Sequence, residues 1–558
     1  MDDDIIATTL RSNIEACLAL DQCLRSTLGP YGRDKLIVDE HGDYIVSNDG
    51  ATILRYLQVK HPATKLLISL AKAQDDTVGD GTTSVVLLTC ALLQCALRYL
   101  NPMSIHPRQI QNGYQVALDL ALKMIKDIEV PIPWKEDEER ARQMMYDIAL
   151  TSISSKILAR FKEHFARLGV DAIMRLGTTQ LNQDRIKVIA INGNSMMESK
   201  LVDGVLLRYP PSNDSERRRT TSRCLMTHDP KDGYRVAVGK LQLQKLQSEM
   251  HSVKESLGQG GGSASASFQQ QEQAMLKAKI QPLLNLHANV IVSDTDIPAY
   301  LDSVLEEHGI DYFCISDSAE LEVIAANLAA PLLYDIKGVT DEMLARPKAI
   351  ELVAIGDDSF LQITGVERSN AATVIIRSPT DTMSQECVRS FKDMLNILFA
   401  SLHNPFVIGG GGCVFMYIAN RLRTSLKGTS NEKLQVVVGE YANALESIPA
   451  LLTHNAGFDS LSTMTRLKTL HAVGDGDNRW KGVNLDNGEI VDMFVELDVK
   501  EPSFLLTNIL TLATRAAQMI LRINSNILIE PRVAFRPPGT ERTPTSASSS
   551  TSTDNDYS

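Results

Sequence analysis

Six residues near the start of the chain, Gly79-Asp80-Gly81-Thr82-Thr83-Ser84, combine residue types that bind phosphate and metal. The glycines allow a sharp turn and the close approach of a bulky anion. The apolar run that follows predicts a buried helix, whose first N–H groups and hydroxyls, from Thr82 to Ser84, would favour phosphate oxygens. Asp80 would offer Mg²⁺ a hard oxygen ligand. A surface turn with a helix N-cap uses the same residue types, so both interpretations stay open here.

A second acid stands in a similar setting. Asp49 precedes Gly50 and a segment with helical character. Two acids on glycine turns at helix starts are what a metal–phosphate site with a water-activating base requires. Two ordinary N-caps would look the same.

Two further stretches could contribute to such a site. Residues 151–156 form a hydroxyl-rich loop that ends in Lys156, and this loop could contact a terminal phosphate or cap a helix. The glycine run 409–412 lies between a strand-like segment and a helical one, which would let backbone approach a flat or anionic ligand. The chain has no GxGxxG motif at this run and no Walker A motif.

Composition narrows the class of protein. The chain has 558 residues, of which 44% are hydrophobic and 5% aromatic, and its formal net charge is −12. This charge argues against a general nucleic-acid binder and against an anionic membrane surface as partner. The eight cysteines are scattered without CxxC pairs, as in a reduced cytosolic protein. The acidic N-terminus is unlike a signal peptide, and no uninterrupted apolar run approaches about 18 residues, so we expect no membrane span.

The helices and strands that must position these residues are predicted from the spacing of apolar residues and from the Gly and Pro residues that end such elements. Helices are predicted at 13–27, 66–74, 83–100, 107–128, 135–150, 242–258, 269–284 and 383–402, and then through the C-terminal third to about residue 528. Strands are predicted at 186–191, 201–207 and 236–238, strand and helix alternate over 290–328, and strands return at 349–355, 360–364 and 372–376. Residues 258–267 are Gly- and Ser-rich and predicted to be flexible, and 130–133 marks a domain edge. We predict a helical domain made from both ends of the chain, with an α/β domain inserted and the phosphate site assembled from both halves.

A series of short motifs, taken in chain order, resembles the signature set of the group II chaperonins. The motifs are Leu28-Gly29-Pro30, Asn48-Asp49-Gly50-Ala51-Thr52, residues 79–84, Leu201-Val202-Asp203-Gly204-Val205, the run 409–412, Asn455-Ala456-Gly457-Phe458-Asp459, Gly482-Val483-Asn484, Glu501-Pro502 and Leu521-Arg522-Ile523. The resemblance covers roughly residues 14–528 and is strongest to subunits of the eukaryotic cytosolic chaperonin (TRiC, also called CCT). Residues 61–63 and 487–492 point to one subunit class of that complex.

The resemblance implies an α+β multidomain fold of three domains. A helical equatorial ATP-binding domain would comprise residues 1–133 and 405–530, and an intermediate hinge domain residues 134–200 and 359–404. An inserted α/β apical domain for client binding and lid closure would comprise 201–358. Residues 531–558, rich in Pro, Ser and Thr, would be a disordered tail.

The resemblance also implies ATP and Mg²⁺ as cofactors and assigns roles to individual residues. Asp80 would bind the metal. Asp393, on the intermediate domain, would orient the attacking water with help from Asp49. The nucleotide would contact Gly29, Pro30, Gly81, Thr82, Thr83, Ser84, Ser154, Ser155, Lys156, Gly411 and Glu501.

The function implied is that of an ATP-hydrolysing subunit of a cytoplasmic double ring. Its partners would be paralogous subunits and unfolded cytosolic proteins such as actin and tubulin, with no nucleic acid and no membrane. The alternative is a chaperonin-like structural or assembly protein with little or no turnover, and a small-molecule phosphotransferase is a weaker third. The sequence departs from the family at Cys413, Phe415 and Asn524, where Ala, Glu and Asp are usual.

Overall fold

The structure is a computed structural model and describes residues 2–38, 42, 44–100, 105–176, 185–208, 233–241, 264–336, 338–356, 358–366, 372–425, 431–473 and 478–526. Its helices are α1 (Asp2–Leu24), α2 (Gly50–Tyr56), α3 (Pro62–Val78), α4 (Thr82–Leu100), α5 (Pro107–Ile128), α6 (Glu138–Ile153), α7 (Lys162–Leu176), α8 (Ala264–Asn285), α9 (Ala299–Glu307), α10 (Ser318–Asn327), α11 (Asp381–His403), α12 (Cys413–Ser425), α13 (Glu432–Asn455), α14 (Ser460–Val473) and α15 (Ser503–Ile520).

The strands are short and form several small sheets. They are β1 (Lys35–Val38), β2 (Tyr44–Ser47), β3 (Val130–Pro131), β4 (Ile186–Asn192), β5 (Lys200–Asp203), β6 (Val205–Arg208), β7 (Val236–Gly239), β8 (Val290–Ser293), β9 (Asp311–Cys314), β10 (Ala349–Ile355), β11 (Asp358–Thr364), β12 (Ala372–Ser378), β13 (Phe406–Gly409), β14 (Lys481–Val483), β15 (Ile490–Asp492) and β16 (Lys500–Pro502).

The largest buried cluster, which we call the helical core, combines the two ends of the chain. Its members run from Leu10 to Ile128 and again from Ile408 to Leu521. At its centre is α4, against which α1, α3, α13 and α15 pack. By length and composition α4 is the one described helix that could cross a bilayer, and 61% of its apolar window is buried inside the protein. In this fold α4 is therefore a core helix.

A second buried cluster, the middle core, lies next along the chain. Helices α6, α7 and α11 pack together on the sheet β4-β12-β5, in which β12 runs parallel to β4 and antiparallel to β5. Further clusters cover residues 205–363. There β7, β8 and β9 form a parallel sheet with α8, α9 and α10, next to the antiparallel sheet β10-β11-β6. The predicted alternation of strand and helix over 290–328 is present here.

Two boundaries predicted from the resemblance fall inside paired strands. The division at 200/201 lies within β5, which pairs with β12 of the middle core. The division at 358/359 lies at the start of β11, which pairs along its whole length with β10 and then with β6. Strand pairing therefore places residues 200–203 with the middle core and residues 358–364 with the inserted part.

The prediction that the C-terminal third is helical to about residue 528 is wrong in part, because this third also contains strands. Strands β14 and β15 form a hairpin, in whose turn Gly488 has a φ of +75°, and β16 pairs with β13 some 90 residues earlier. Residues 130–131, predicted only as a domain edge, pair with β13 as β3. A helical pattern was inferred because apolar residues in such short strands are too few to show an alternation of period two.

Three other predictions on local structure have clear outcomes. The predicted strand 201–207 is two strands, because Gly204, with a φ of +109°, breaks it. The flexible stretch 258–267 was predicted too long, since α8 begins at Ala264, where the glycines give way to alanine, the best helix former. The predicted helix 242–258 and the tail 531–558 lie outside the described residues.

Candidate functional site

A cavity of about 670 Å³ lies between the helical core and the middle core. The structure brings all but one of the predicted site residues to its wall: Gly29, Pro30, Asp49, Asp80, Gly81, Thr82, Thr83, Ser84, Ser154, Ser155, Lys156, Gly411 and Glu501. The exception is Asp393, which lies behind Lys156. A cavity of this size is typical of a site for a small molecule or cofactor.

The turn between α3 and α4 presents backbone donors to this cavity. Gly79 and Gly81 have φ values of +79° and +74°, which side-chain-bearing residues adopt at a cost. A Cβ on Gly81 would lie 2.9 Å from Ile509 Cδ1, so a side chain there would also require Ile509 to shift. Since α4 begins at Thr82, its first N–H groups have no partner within the helix and are available to an anion.

Asp80 is held between these glycines with its carboxylate at the cavity wall. Its Oδ1 accepts the N–H of Gly81 at 2.7 Å, and its Oδ2 lies 3.5 Å from Ser152 Oγ. The side-chain amide of Gln74 donates to its carbonyl at 2.8 Å. Asp80 is thus fixed by both its backbone and its side chain, while Oδ2, with one long contact, can take a further ligand.

Asp49 is the N-cap of α2 and also faces the turn. Its Oδ2 accepts the N–H of Thr52 at 2.9 Å, and its Oδ1 lies 3.4 Å from Thr82 Oγ1. Burial acts to raise the pKa of this carboxyl, but the charges of Lys156 and Arg389 and the Thr52 N–H outweigh it and lower the pKa. Asp49 therefore caps a helix and also presents an ionised carboxylate to the cavity.

Lys156 lies among three carboxylates. Its Nζ forms a buried ion pair with Asp393 of α11, and its side chain is only 6% exposed. Burial acts to lower the pKa of Lys156, but the negative charges of Asp393, Asp80 and Asp49 outweigh it and raise the pKa, so the lysine is charged. The ion pair links the loop after α6 to α11 and holds Asp393 next to the cavity.

The glycine run also reaches the cavity wall, where it contacts Glu501. The N–H of Gly411 donates to Glu501 Oε1 at 3.2 Å, and a Cβ on Gly410 would lie 2.6 Å from the same oxygen. Gly411 itself has a φ of +65°. The space left by Gly410 is therefore taken by the Glu501 carboxyl, while Gly411 remains at the wall.

Comparison with known proteins identifies the chain. The model of the TCP-1/cpn60 chaperonin family matches residues 20–530. The chain belongs to this family. It is 33% identical over 539 residues to the T-complex protein 1 subunit eta of Gallus gallus, covering 95% of this chain and 92% of that protein. The corresponding Arabidopsis thaliana subunit is 33% identical over 93% of this chain and 90% of its own length.

Archaeal relatives are nearly as similar. Thermosome subunit alpha of Aeropyrum pernix is 30% identical over 531 residues, which is 93% of this chain and 91% of that protein.

The matches to eta subunits show that this chaperonin is eta-like, as residues 61–63 and 487–492 indicate. The recognition from short motifs is therefore confirmed.

The departures from the family pattern have different settings in this chaperonin. Phe415 and Cys413 are buried in the helical core, and Phe415 also lines the cavity. Asn524 is exposed after the end of α15. An apolar side chain at 415 therefore adds to the wall of the cavity and leaves Asp49, Asp80 and Lys156 in place.

The carboxyl of Glu501 is expected to make the free energy of unfolding depend on pH. Burial raises its pKa to about 7 from an ordinary 4.5, although the Gly411 N–H acts to lower it. Between these values the folded chain binds more protons than the unfolded one, so the free energy of unfolding falls as pH rises from 4.5 through 7. We expect a loss of roughly 1–3 kcal/mol in the nucleotide-free chaperonin, absent in Glu501→Gln. Urea unfolding at several pH values measures it, with the exposed Glu351→Gln as control, and equal pH slopes in Glu501→Gln and the parent would contradict it.

Sequence reasoning missed an ion pair beside Glu501. Lys500 Nζ lies 2.5 Å from Asp147 Oδ2 and 2.6 Å from Asp498 Oδ1, and its N–H donates to Thr151 Oγ1 at 3.2 Å. Lys500 and Asp147 are both buried, and they join β16 of the chaperonin to α6. The partners are 353 positions apart, so no spacing in the sequence could have signalled the pair.

Breaking this pair is expected to destabilise the chaperonin. Lys500→Met leaves Asp147 buried without its partner charge, which typically costs about 3–5 kcal/mol. The double variant Asp147→Leu/Lys500→Met is expected to recover most of that loss, because it removes both charges. Urea unfolding measures both. Lys481→Met, which breaks the exposed pair with Glu496, is the control and should cost about 1 kcal/mol or less. A double variant as unstable as Lys500→Met would contradict the explanation.

Proposed function

We propose that this chain is an ATP-hydrolysing subunit of a double-ring chaperonin that folds cytosolic proteins. The observation that carries the proposal is the gathering of Asp49, Asp80 and Lys156 around the N-terminus of α4, with Asp393 on a helix of the middle core immediately behind. Phosphoryl transfer needs phosphate donors, a metal ligand and a residue that orients water, and this arrangement supplies all three.

The residues fit a nucleotide with its metal. Among the described residues no three His, Cys, Asp or Glu side chains form a metal cluster. A single carboxylate is nevertheless what Mg²⁺ uses when substrate phosphates and water complete its shell, and Asp80 stands at the cavity wall for this purpose. When bound, Mg²⁺ would neutralise charge that develops on the phosphates.

The chain's own residues divide the remaining work. The N–H groups that begin α4, the hydroxyls of Thr82 to Ser84, and the Ser154–Ser155 loop would hold phosphates. Glu501 and Gly411 would face the nucleoside. Asp393 would orient the attacking water with help from Asp49, and because α11 belongs to the middle core, its approach would couple hydrolysis to closure.

We propose three domains for this fold, with two divisions moved to fit the strand pairing. The equatorial domain comprises 1–133 and 405–530, the intermediate domain 134–203 and 367–404, and the apical domain 204–366. Separate buried clusters support the division, and the shared helical core supports an equatorial domain made from both ends of the chain.

The partners proposed are paralogous subunits and unfolded cytosolic clients such as actin and tubulin, in the cytoplasm. The similar proteins in chicken and Arabidopsis are both described as subunits of a T-complex protein, which supports assembly. A structural paralogue without turnover would not need Asp49 and Asp80 at one cavity wall with Asp393 paired to Lys156 beside them, and so the hydrolysing function is the better supported one.

The native complex that holds a tagged copy of the chain tests this function. We expect a very large particle with several related but distinct subunits, which hydrolyses ATP in a Mg²⁺-dependent way. A monomer, or a small complex with unrelated proteins, would overturn the ring. A large ring without turnover attributable to this chain would favour the structural paralogue.

A further inference from the structure

Helix α11 carries three charged residues on one face, and this face meets the helical core. Glu386, Arg389 and Asp393 follow at spacings of three and four, which places them on one side of the helix. Glu386 and Asp393 are buried, at 7% and 8% exposed. Charged side chains are rarely buried without a partner, so this face is expected to make specific polar contacts with the helical core.

The guanidinium of Arg389 bridges the two cores. Its Nη1 lies 3.3 Å from Asp49 Oδ2, and its Nη2 donates to Ser47 Oγ at 2.7 Å. On its own helix the same Nη2 lies 2.6 Å from both carboxylate oxygens of Glu386. Glu386 therefore aims the guanidinium, and the guanidinium contacts the turn between β2 and α2, which carries Asp49.

This contact fixes the orientation of the Asp49 carboxylate relative to the turn between α3 and α4. Oδ2 is occupied by the Thr52 N–H and by Arg389, while Oδ1 is directed towards Thr82. Arg389 is also one of the cations that keep Asp49 ionised. It is not among the residues that line the cavity, so it acts on the site through Asp49 and through its own helix.

We propose that Arg389 is a positioning residue for ATP hydrolysis. It orients the Asp49 carboxylate and docks α11, which carries Asp393, against the β2–α2 turn. The inference rests on the proposed ATPase function. A misplacement of about 1 Å in a reacting group costs up to about 10²-fold in rate, so the loss of Arg389 is expected to lower kcat about 10- to 100-fold. The dissociation constant for ATP should stay within about twofold, because Arg389 does not line the nucleotide cavity.

The test uses the purified complex with a tagged variant as its copy of this subunit. The ATP turnover due to this subunit is taken as the difference between the turnover of the parent complex and that of the complex carrying Asp80→Asn. We expect Arg389→Met to lose 10- to 100-fold of that turnover and Arg389→Lys to recover part of it, because a lysine keeps the charge but cannot make all three contacts. Lys392→Met, an exposed cation on the same helix, is the matched control and should match the parent. Binding of a fluorescent ATP analogue is measured on each variant.

A double-mutant cycle separates positioning from a general structural role. If Arg389 acts through Asp49, Arg389→Met should lower turnover little further in a chain that already carries Asp49→Asn. A further loss by the full factor seen in the single variant would overturn the orientation of Asp49 by Arg389. Unchanged turnover in Arg389→Met, or a loss of ATP binding that matches the loss of turnover, would overturn the proposal. Absence of turnover in the parent subunit would instead overturn the ATPase function itself.

Discussion

Replacing Asp393 by asparagine is expected to lower ATP turnover by this subunit about 10²–10⁴-fold while ATP binding is retained. Asparagine has nearly the same shape and can still accept a hydrogen bond from Lys156, whose charge also interacts with Asp80 and Asp49, so the loop after α6 should keep its place. What it lacks is the negative charge and the basicity needed to orient and deprotonate water. Since Asp393 lies behind the cavity wall, its loss should spare the ground-state contacts with the nucleotide.

The measurement pairs phosphate release with titration of a fluorescent ATP analogue. Asp76→Asn, an exposed aspartate on α3, is the matched control, because it is the same chemical change outside the site. Turnover within about twofold of the parent in Asp393→Asn would show that Asp393 is not the water-orienting residue and would shift this role to Asp49.

The second large effect is expected at Asp80. In Asp80→Asn an amide oxygen replaces the carboxylate that would bind Mg²⁺, and a metal contribution of several kcal/mol corresponds to at least about 10²-fold in kcat/KM. The loss should be accompanied by a changed response to the metal. In the parent, ATP affinity and turnover should rise with Mg²⁺ and fall with a chelator, whereas the affinity of Asp80→Asn for ATP should depend only weakly on Mg²⁺.

A Mg²⁺ titration of both turnover and ATP affinity distinguishes this role from a structural one. If Asp80 only fixed the turn through its contact with the Gly81 N–H, Asp80→Asn would weaken ATP binding equally at all Mg²⁺ concentrations. An unaltered Mg²⁺ dependence with weaker binding throughout would therefore contradict the metal assignment. Asp76→Asn again serves as the control.

Local sequence signals predicted the parts of the site that one segment builds by itself. Pro107 at the first turn of α5 indicated the start of that helix, and the Asp-Gly turns at Asp49 and Asp80 indicated the starts of α2 and α4. In each case the residue that determines the structure is within four positions of it. Residue type and spacing alone therefore predict Asp49 and Asp80 as candidate site residues.

Contacts between distant segments could not be predicted from local patterns. The partner of Lys156 is Asp393, and that of Lys500 is Asp147, and only the packing of the middle core against the helical core brings each pair together. Arg389 left a weak signal, since Glu386, Arg389 and Asp393 recur at helical spacing and so share one face of α11. That spacing indicates a buried charged face but not what the face contacts.

The composition of the helical core has a consequence for how the chain is made. During synthesis, the apolar surface of residues up to 128 is fully covered only after residues beyond 407 have been made, and about 280 residues lie between the two parts. At the usual 5–20 residues per second, ribosomes need roughly 15–55 s to add that stretch. During this time the apolar sides of α1, α3 and α4 lack α13 and α15. The nascent subunit is therefore itself a chain with prolonged exposure of hydrophobic surface, and fragments that end before α13 should aggregate.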